Sequence, residues 1–288
     1  MPDLKTDLFT GSPRFADRKL DAMAQEGNLH GAWHAAMNGP STENALRDVS
    51  GDFAIGLYRP DGSAFMAVDR FAIHSLCYCI ENGQITFATR ADTLGNTNKE
   101  IDPQAIFDYL YFHVIPSPRT IFKGVFRLPP GHYAEFANGQ IHVAPYWRPG
   151  FEEPRESSFE DLKKQFRHLL KESVATQLNT GKAACFLSGG TDSSSVAGLI
   201  GKVSGQAAAT YSIGFEAQGY DEMAFARIAA KRFGTEHHEY YVTPEDLLDL
   251  ISVHRLTFDQ TCQTGVVLHM FSGVGELGRL GVTCIHGT

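Results

Sequence analysis

The apolar positions of this chain follow two regimes that change near residue 150. From Gly51 they alternate with period two. Phe53, Ile55 and Leu57 predict a strand, Pro60-Asp61-Gly62 a turn, Phe65 to Val68 a second strand and Leu76 to Ile80 a third. Asn82-Gly83 is a strong hairpin signal, and Ile85 to Thr89 completes a four-strand meander. Both faces of these strands are largely apolar, which predicts a sheet covered on both sides. Asp102-Pro103 caps a helix that runs to Tyr111, and Pro116, Pro118, Pro129 and Pro130 mark a looped passage. A last hairpin, His132 to Phe136 and Gln140 to Val143, turns at Asn138-Gly139. Residues 1–50 are polar and the least legible, with one short helix over Arg18 to Gln25.

Residues 148–158, RPGFEEPRESS, combine proline, charge and serine and read as a linker. Beyond it the period lengthens. Ser157-Ser158-Phe159-Glu160 predicts a capping box, followed by a helical stripe of Phe159, Leu162, Phe166, Leu169 and Leu170. A short apolar strand, Ala183 to Leu187, leads into Ser188-Gly189-Gly190-Thr191-Asp192-Ser193-Ser194-Ser195, and a helix is predicted from Val196. Strand Thr210 to Phe215, a helix opened by Tyr220-Asp221-Glu222 and strand His238 to Val242 follow. After them come a helix capped by Thr243-Pro244, a helix from about Val266 to Leu280 and strand Val282 to His286. Strands alternating with helices predict a doubly wound parallel sheet, whose ligands lie at the carboxyl ends of its strands.

Composition narrows the classes. The chain has 288 residues, of which 43% are hydrophobic, enough for two cores. A formal charge of −8 disfavours a nucleic-acid partner. Five cysteines in no framework spacing point to a reducing compartment, and no apolar run approaches membrane length, so a cytoplasmic protein is expected. The Ser188–Ser195 turn carries the chemistry. Backbone amides at a strand–glycine–helix turn, helped by the helix dipole, hold anionic oxygens, and the hydroxyls of Ser188, Ser193 and Ser194 can add donors. The GxxxxGK[ST] spacing and its lysine are missing, so this is no Walker A loop.

The run Leu187 to Ser194, LSGGTDSS, resembles the SGGxDS pyrophosphate loop of the ATP pyrophosphatases. Gly51 to Tyr58 (GDFAIGLY), Asp69 to Leu76 (DRFAIHSL), Phe87-Ala88-Thr89, Thr120 to Val125 and Leu128 to His132 resemble the glutamine amidotransferase domain of asparagine synthetase. Tyr211 to Phe215, Tyr220-Asp221-Glu222 and Gly234 to Glu239 extend the resemblance to that family. The resemblance implies an α/β protein. An αββα amidotransferase-like sandwich over 1–147 (an α+β part) and a linker over 148–158 would precede a doubly wound ATP-pyrophosphatase domain over 159–288, truncated at its carboxyl end. It also implies that Ser188, Gly189, Gly190, Asp192, Ser193 and Ser194 cradle the pyrophosphate of ATP, with Asp192 a Mg²⁺ ligand. Leu187, Ile213 and Gly287 would contact adenosine, with His286 beside them in the ATP-binding set.

Two departures shape the functional expectation. The family's glutaminase uses a cysteine as its mature first residue, and residue 2 here is Pro2. Neither a glutamine-binding arginine loop nor an Asn-Gly-Glu segment precedes Gly51, so no glutamine hydrolysis is expected. His286-Gly287 fall on the family's Ser-Gly turn, and the chain stops at Thr288, which suggests a fragment or truncated product of a longer synthetase. No catalytic residue is therefore assigned, since the synthetase acid/base positions would lie beyond Thr288. Asp259-Gln260-Thr261-Cys262 also departs from the family's Asp-Gln-Pro-Phe. The expected function is an asparagine synthase-type amidoligase that activates an aspartate-like carboxylate as acyl-AMP for attack by ammonia or an amine. The alternatives are a β-lactam or macrolactam synthetase using an internal amine, or a catalytically dead nucleotide-binding scaffold. Small molecules are the expected partners, and a homodimer is allowed. Cys77, Cys79, Cys185, Met270 and Phe271 read as core, Asp221-Glu222 as a helix cap, and His237-His238-Glu239 as strand neighbours pointing to opposite faces rather than a metal cluster.

Overall fold

A computed structural model describes residues 6–38, 41–95, 99–153, 157–178, 183–215, 221–246 and 283–285. Among these, residues up to Phe151 form one compact unit and residues from Glu152 a second.

The first unit is built on two antiparallel sheets. The larger takes β1 (Leu8–Gly11), β4 (Phe53–Tyr58), β5 (Ala64–Val68), β9 (His132–Ala137) and β10 (Gln140–Pro145), in that spatial order. The smaller sets β6 (Cys77–Glu81) between β7 (Gln84–Ala88) and β8 (Val125–Arg127). The expected meander is thus divided: β4 and β5 pair with each other, while the β6–β7 hairpin turns away into the second sheet. Alternation of apolar residues tells which face a side chain takes but not which strand lies alongside. The division explains the doubly apolar strands. One face of β4 and β5, with Ala54, Met66 and Val68, packs on Tyr78, Ile85 and Phe87 of the small sheet. The opposite face, with Phe53, Ile55, Leu57, Phe65 and Ala67, packs on three helices that the polar amino-terminal sequence largely conceals. These are α1 (Arg18–Gln25), α2 (Leu29–Met37) and α3 (Thr42–Arg47); β2 (Arg14–Phe15) and β3 (Val49–Ser50) close a small ribbon beside them. Trp33 of α2 and Leu46 of α3 are wholly buried there. Gly56 has no side chain because the Phe87 ring occupies its space, 2.3 Å from where a Cβ would stand. On the far side of the small sheet the layer is thin: Ala91, Leu94 and Phe122 cover Cys77, Cys79 and Val125. There α4 (Pro103–Phe112), capped by Asp102, buries only Ala105.

A buried carboxylate ties this sandwich together. Asp69, at the end of β5, accepts the amides of Phe53 (3.2 Å), Phe71 (2.9 Å), Ile73 (3.3 Å) and His74 (3.4 Å). Its own carbonyl accepts the Gly131 amide at 2.9 Å, and the Tyr146 hydroxyl donates to the neighbouring Val68 carbonyl at 2.8 Å. Burial pushes the Tyr146 phenol well above the usual tyrosine range. One side chain therefore fixes the 69–74 loop to β4, and its backbone fixes it to the start of β9.

The second unit is a four-stranded parallel sheet in the order β13 (Glu236–Val242), β12 (Ala209–Phe215), β11 (Ala183–Phe186), β14 (Thr283–Ile285). Winding runs from β11 through β12 to β13 on one side and resumes on the other with β14, which makes β11 the topological switch point of a doubly wound sheet. On one face α5 (Phe159–Gln177), α6 (Thr191–Ser204) and α7 (Met223–Phe233) bury Val174, Cys185, Leu187, Ala197, Ile200 and Ala226. The cap of α5 is Ser158, one residue later than expected: its Oγ accepts the Asp161 amide and donates to the Asp161 carboxylate. The apolar stripe of α5 is real in spacing, yet Phe159, Leu162, Phe166 and Leu169 are exposed and the helix packs through Val174. Thr243 and Asp246 exchange cap bonds as the sequence suggests. The predicted helix Val266 to Leu280, with Met270 and Phe271, and the segment Asp259 to Cys262 lie outside the described residues.

Asp69→Asn forces an amide N–H₂ against backbone donors and is expected to cost about 2 kcal/mol or more in urea unfolding. A second expectation concerns His74 and Asp52, paired at 2.7 Å and each about one-third exposed or less. The shared hydrogen bond lowers Asp52 from 3.8 and raises His74 from 6.5. The Asp52 contribution is present above pH 3.8 and lost as pH falls through its lowered value. The His74 contribution is complete below pH 6.5 and lost as pH rises through its raised value. The stability lost in His74→Asn should therefore peak between those limits, at roughly 1 kcal/mol, and shrink on both sides in a pH series of unfolding curves.

Candidate nucleotide site

Parallel strand β11 ends at Phe186, opposite Tyr211 of β12. Leu187 continues it by donating its amide to the Tyr211 carbonyl at 2.9 Å, while its own carbonyl accepts the buried Ser212 hydroxyl. Both backbone polar groups of Leu187 are thus engaged within the sheet edge, and its side chain is core. The chain then breaks at Ser188, Gly189 and Gly190, at the carboxyl edge of the switch-point strand.

Gly189 is the pivot. Its φ is +85°, and a Cβ there would lie 2.4 Å from the Phe225 carbonyl carbon and 2.5 Å from the Ala226 nitrogen, both backbone atoms of α7. Gly190 caps α6 without a side-chain bond, and a Cβ on it would meet only the Ser188 hydroxyl, at 3.3 Å. The helix starts at Thr191, five residues earlier than the apolar pattern indicates. Asp192, Ser193 and Ser194 consequently form its first turn instead of a loop. The first intrahelical bond runs from the Ser194 amide to the Gly190 carbonyl at 3.1 Å, which leaves the Thr191, Asp192 and Ser193 amides ahead of it at the positive end of a 14-residue helix.

Hydroxyls hold the turn in this shape. The Ser188 amide donates to Ser193 Oγ at 3.2 Å, the two hydroxyls meet at 3.1 Å, and the Gly190 amide donates to Ser188 Oγ at 3.3 Å. Ser194 Oγ differs: it is buried with no hydrogen-bond partner. A buried hydroxyl without a partner is unfavourable unless something else completes it. Asp192 is exposed in the first turn, next to the free amides. The turn thus offers neutral donors, one orphaned hydroxyl and one carboxylate, a set that fits phosphate oxygens and a hard divalent ion.

Ile213 lies on β12 beyond the end of β11, paired with Tyr240 of β13, so the same sheet edge carries Leu187, the turn and Ile213. His286 and Gly287 lie outside the described residues, as does Pro2. Two contributors escaped sequence reasoning: Ser212, whose hydroxyl fixes Leu187, and the Phe225–Ala226 backbone, which closes behind Gly189. The former has no signal beyond a serine on an apolar strand. His237, His238 and Glu239 do not form a metal cluster. His237 bonds Thr210 Oγ1 at 3.0 Å, His238 stacks on Tyr211, and Glu239 takes Arg227 in a two-pronged pair at 2.8 and 2.6 Å. That pair raises Arg227 and holds Glu239 low, while burial lowers His237. Cys77, Cys79 and Cys185 are buried thiols, and burial pushes Cys79 up.

Comparison with known families agrees with this architecture. Residues 165–272 match the asparagine synthase family and residues 35–147 the glutamine amidotransferase domain. In these two domains the chain is similar to the asparagine synthetases. Asparagine synthetase [glutamine-hydrolyzing] 1 of Bacillus subtilis is 29% identical over 212 residues, covering 72% of this chain and 33% of that protein. Asparagine synthetase [glutamine-hydrolyzing] 3 of the same organism is 26% identical over 227 residues, covering 72% and 37%. Amidase chyE of Penicillium rubens is 30% identical over 268 residues, covering 81% and 36%. The chain spans roughly a third of the length of these curated relatives. Among the described residues, no helix is long and apolar enough to cross a membrane.

The two glycines separate folding from binding. Gly189→Ala is expected to destabilise the second unit by at least about 2 kcal/mol, through the left-handed backbone and the collision with α7. Gly190→Ala, whose Cβ would meet only the rotatable Ser188 hydroxyl at 3.3 Å, is expected to change stability by less than about 1 kcal/mol. Denaturant unfolding of both variants checks the contrast.

Proposed function

We propose that this chain carries the nucleotide-binding part of an ATP-dependent carbon–nitrogen ligase, which adenylates an aspartate-like carboxylate and releases pyrophosphate before an amine attacks. A carboxylate resists attack until one oxygen becomes a leaving group. Transfer of AMP supplies that: the carboxylate oxygen attacks the α-phosphorus, the bond to the β-phosphate oxygen breaks, and pyrophosphate departs with the electron pair. Ammonia or an amine then adds to the acyl carbon and expels AMP. Charge grows on the departing pyrophosphate, so donors fixed in advance lower the barrier most. Here the Thr191, Asp192 and Ser193 amides, the α6 dipole and the Ser194 hydroxyl would receive it. Leu187 and Ile213, on the adjoining sheet edge, would flank the adenosine. Asp192 would hold Mg²⁺, which supplies charge neutralisation to the phosphates. The observation that carries this reading is the row of first-turn amides without intrahelical partners, at the switch point of the sheet.

The same reading takes free ammonia or a substrate amine as the nitrogen source. An activated thiolate must be exposed and lowered in pKa, and the described cysteines are buried.

Calorimetry with ATP and Mg²⁺ should show binding that Gly190→Ala weakens about tenfold or more, since a methyl group would stand where phosphate oxygens approach the backbone. Carboxylate-dependent exchange of labelled pyrophosphate into ATP should follow, with aspartate compared against acids that carry their own amine. Absence of ATP binding by the folded wild-type chain would overturn the proposal. Incubation with glutamine should yield no glutamate above the uncatalysed rate, and enzymatic release would overturn the ammonia assignment.

A further inference from the structure

The amino-terminal unit holds a separate cluster of ligand-type side chains that the nucleotide site does not use. His30 and His34 stand one turn apart on α2, so their imidazoles project from the same face. Asp7, just ahead of β1, directs Oδ2 towards both, 3.6 Å from His30 Nε2 and 3.2 Å from His34 Nε2. The two rings are 4.3 Å apart between centroids, and the three ligand atoms all lie within 4.8 Å of one another. The other oxygen of Asp7 accepts the Tyr58 amide at 2.8 Å, which fixes the carboxylate against the end of β4. Phe9 lies edge-on to His30, with ring centroids 5.0 Å apart, and walls one side of the cluster.

A hydrogen bond accounts for only part of this. His34 reaches Asp7 at bonding distance, but His30 stands beyond it and is still drawn to the same oxygen. Tetrahedral zinc with bonds of about 2.0–2.1 Å places its ligand atoms roughly 3.3 Å apart, and the two observed separations straddle that value. Histidines at i and i+4 are a spacing by which one helix face offers two ligands to one zinc. Two nitrogens and one carboxylate suit zinc and its neighbours, whereas Mg²⁺ and Ca²⁺ take oxygen. The amide of Tyr58 orients the carboxylate as a second shell does in metal sites.

We infer that Asp7, His30 and His34 form a three-ligand site for a divalent transition metal, zinc by its donor set, with water completing the coordination on the exposed side. The metal would clip α2 to the segment ahead of β1 and, through Tyr58, to β4. Its role would be to hold the helical layer on the larger sheet.

The test uses the full 288-residue chain, purified without a polyhistidine tag, stripped with chelator and titrated with Co²⁺ as the spectroscopic probe and Zn²⁺ as competitor. The wild type should bind one equivalent of Co²⁺ with the visible absorption of a tetrahedral nitrogen–oxygen site, displaced by Zn²⁺, and its melting temperature should rise with Zn²⁺. His30→Gln and Asp7→Asn should each weaken Zn²⁺ binding by on the order of a hundredfold or more and abolish the rise in melting temperature. Asn at position 7 still offers an oxygen to the Tyr58 amide, and His30 is largely exposed, so both variants should keep the wild-type circular dichroism. No saturable binding by the wild type, or binding undiminished in either variant, would overturn the assignment.

Discussion

A side chain at residue 189 has nowhere to go. The backbone there is left-handed, and the space a Cβ would need belongs to the backbone of α7. That constraint sets the geometry of the site. With the chain pressed against α7, the next residue can cap α6, and the helix begins at Thr191 with its first-turn amides facing outward. Leu187 is held from the other side by the Tyr211 carbonyl and the Ser212 hydroxyl. The turn is thus clamped at both ends by the sheet edge and a helix. Its internal serine bonds remove the remaining freedom, so little ordering cost is left for a ligand to meet.

The first unit solves a different problem with the same economy. Its two sheets must stay in register while a long loop leaves β5 and returns in β6. Asp69 does this by gathering four amides of that loop and of β4 onto one buried carboxylate. Gly56 lets Phe87 lie directly against the larger sheet. These are the requirements of a sandwich, and they hold whether or not a thiol stands at its edge.

What the sequence disclosed follows from how local each signal is. Strands β4, β5, β6, β7, β9 and β10 were legible because period-two alternation and the Pro60-Asp61-Gly62, Asn82-Gly83 and Asn138-Gly139 turns are encoded by adjacent residues. The Asn and Gly at both turns adopt positive φ, as two-residue hairpins require. The partition of β4–β5 and β6–β7 between two sheets was hidden, since alternation carries no partner identity. The start of α6 was misplaced because Thr191 to Ser195 are small hydroxylated residues and an aspartate, equally at home in a loop and in a first helical turn. The α5 stripe was correctly spaced yet exposed, since spacing fixes a face and not its cover. His30 and His34 are helix neighbours, but Asp7 stands 23 positions before His30, and only the packing of α2 on the larger sheet brings the three together.

The charge of the chain bears on how the Ser188–Ser195 turn would hold a phosphate. From Leu187 to Ser195 there is no lysine or arginine, and the turn carries one carboxylate within a chain of net charge −8. Long-range attraction therefore cannot draw a triphosphate in, and Asp192 alone would repel it. On the proposed reading, affinity would have to come from short-range donors whose directions are already fixed, together with a cation that changes the sign of Asp192's contribution from repulsive to bridging. Such a site would discriminate by shape more than by charge. An anion that did not span the amides and the cation together would gain little from it, and the carboxylate would be the feature that makes nucleotide binding depend on the metal.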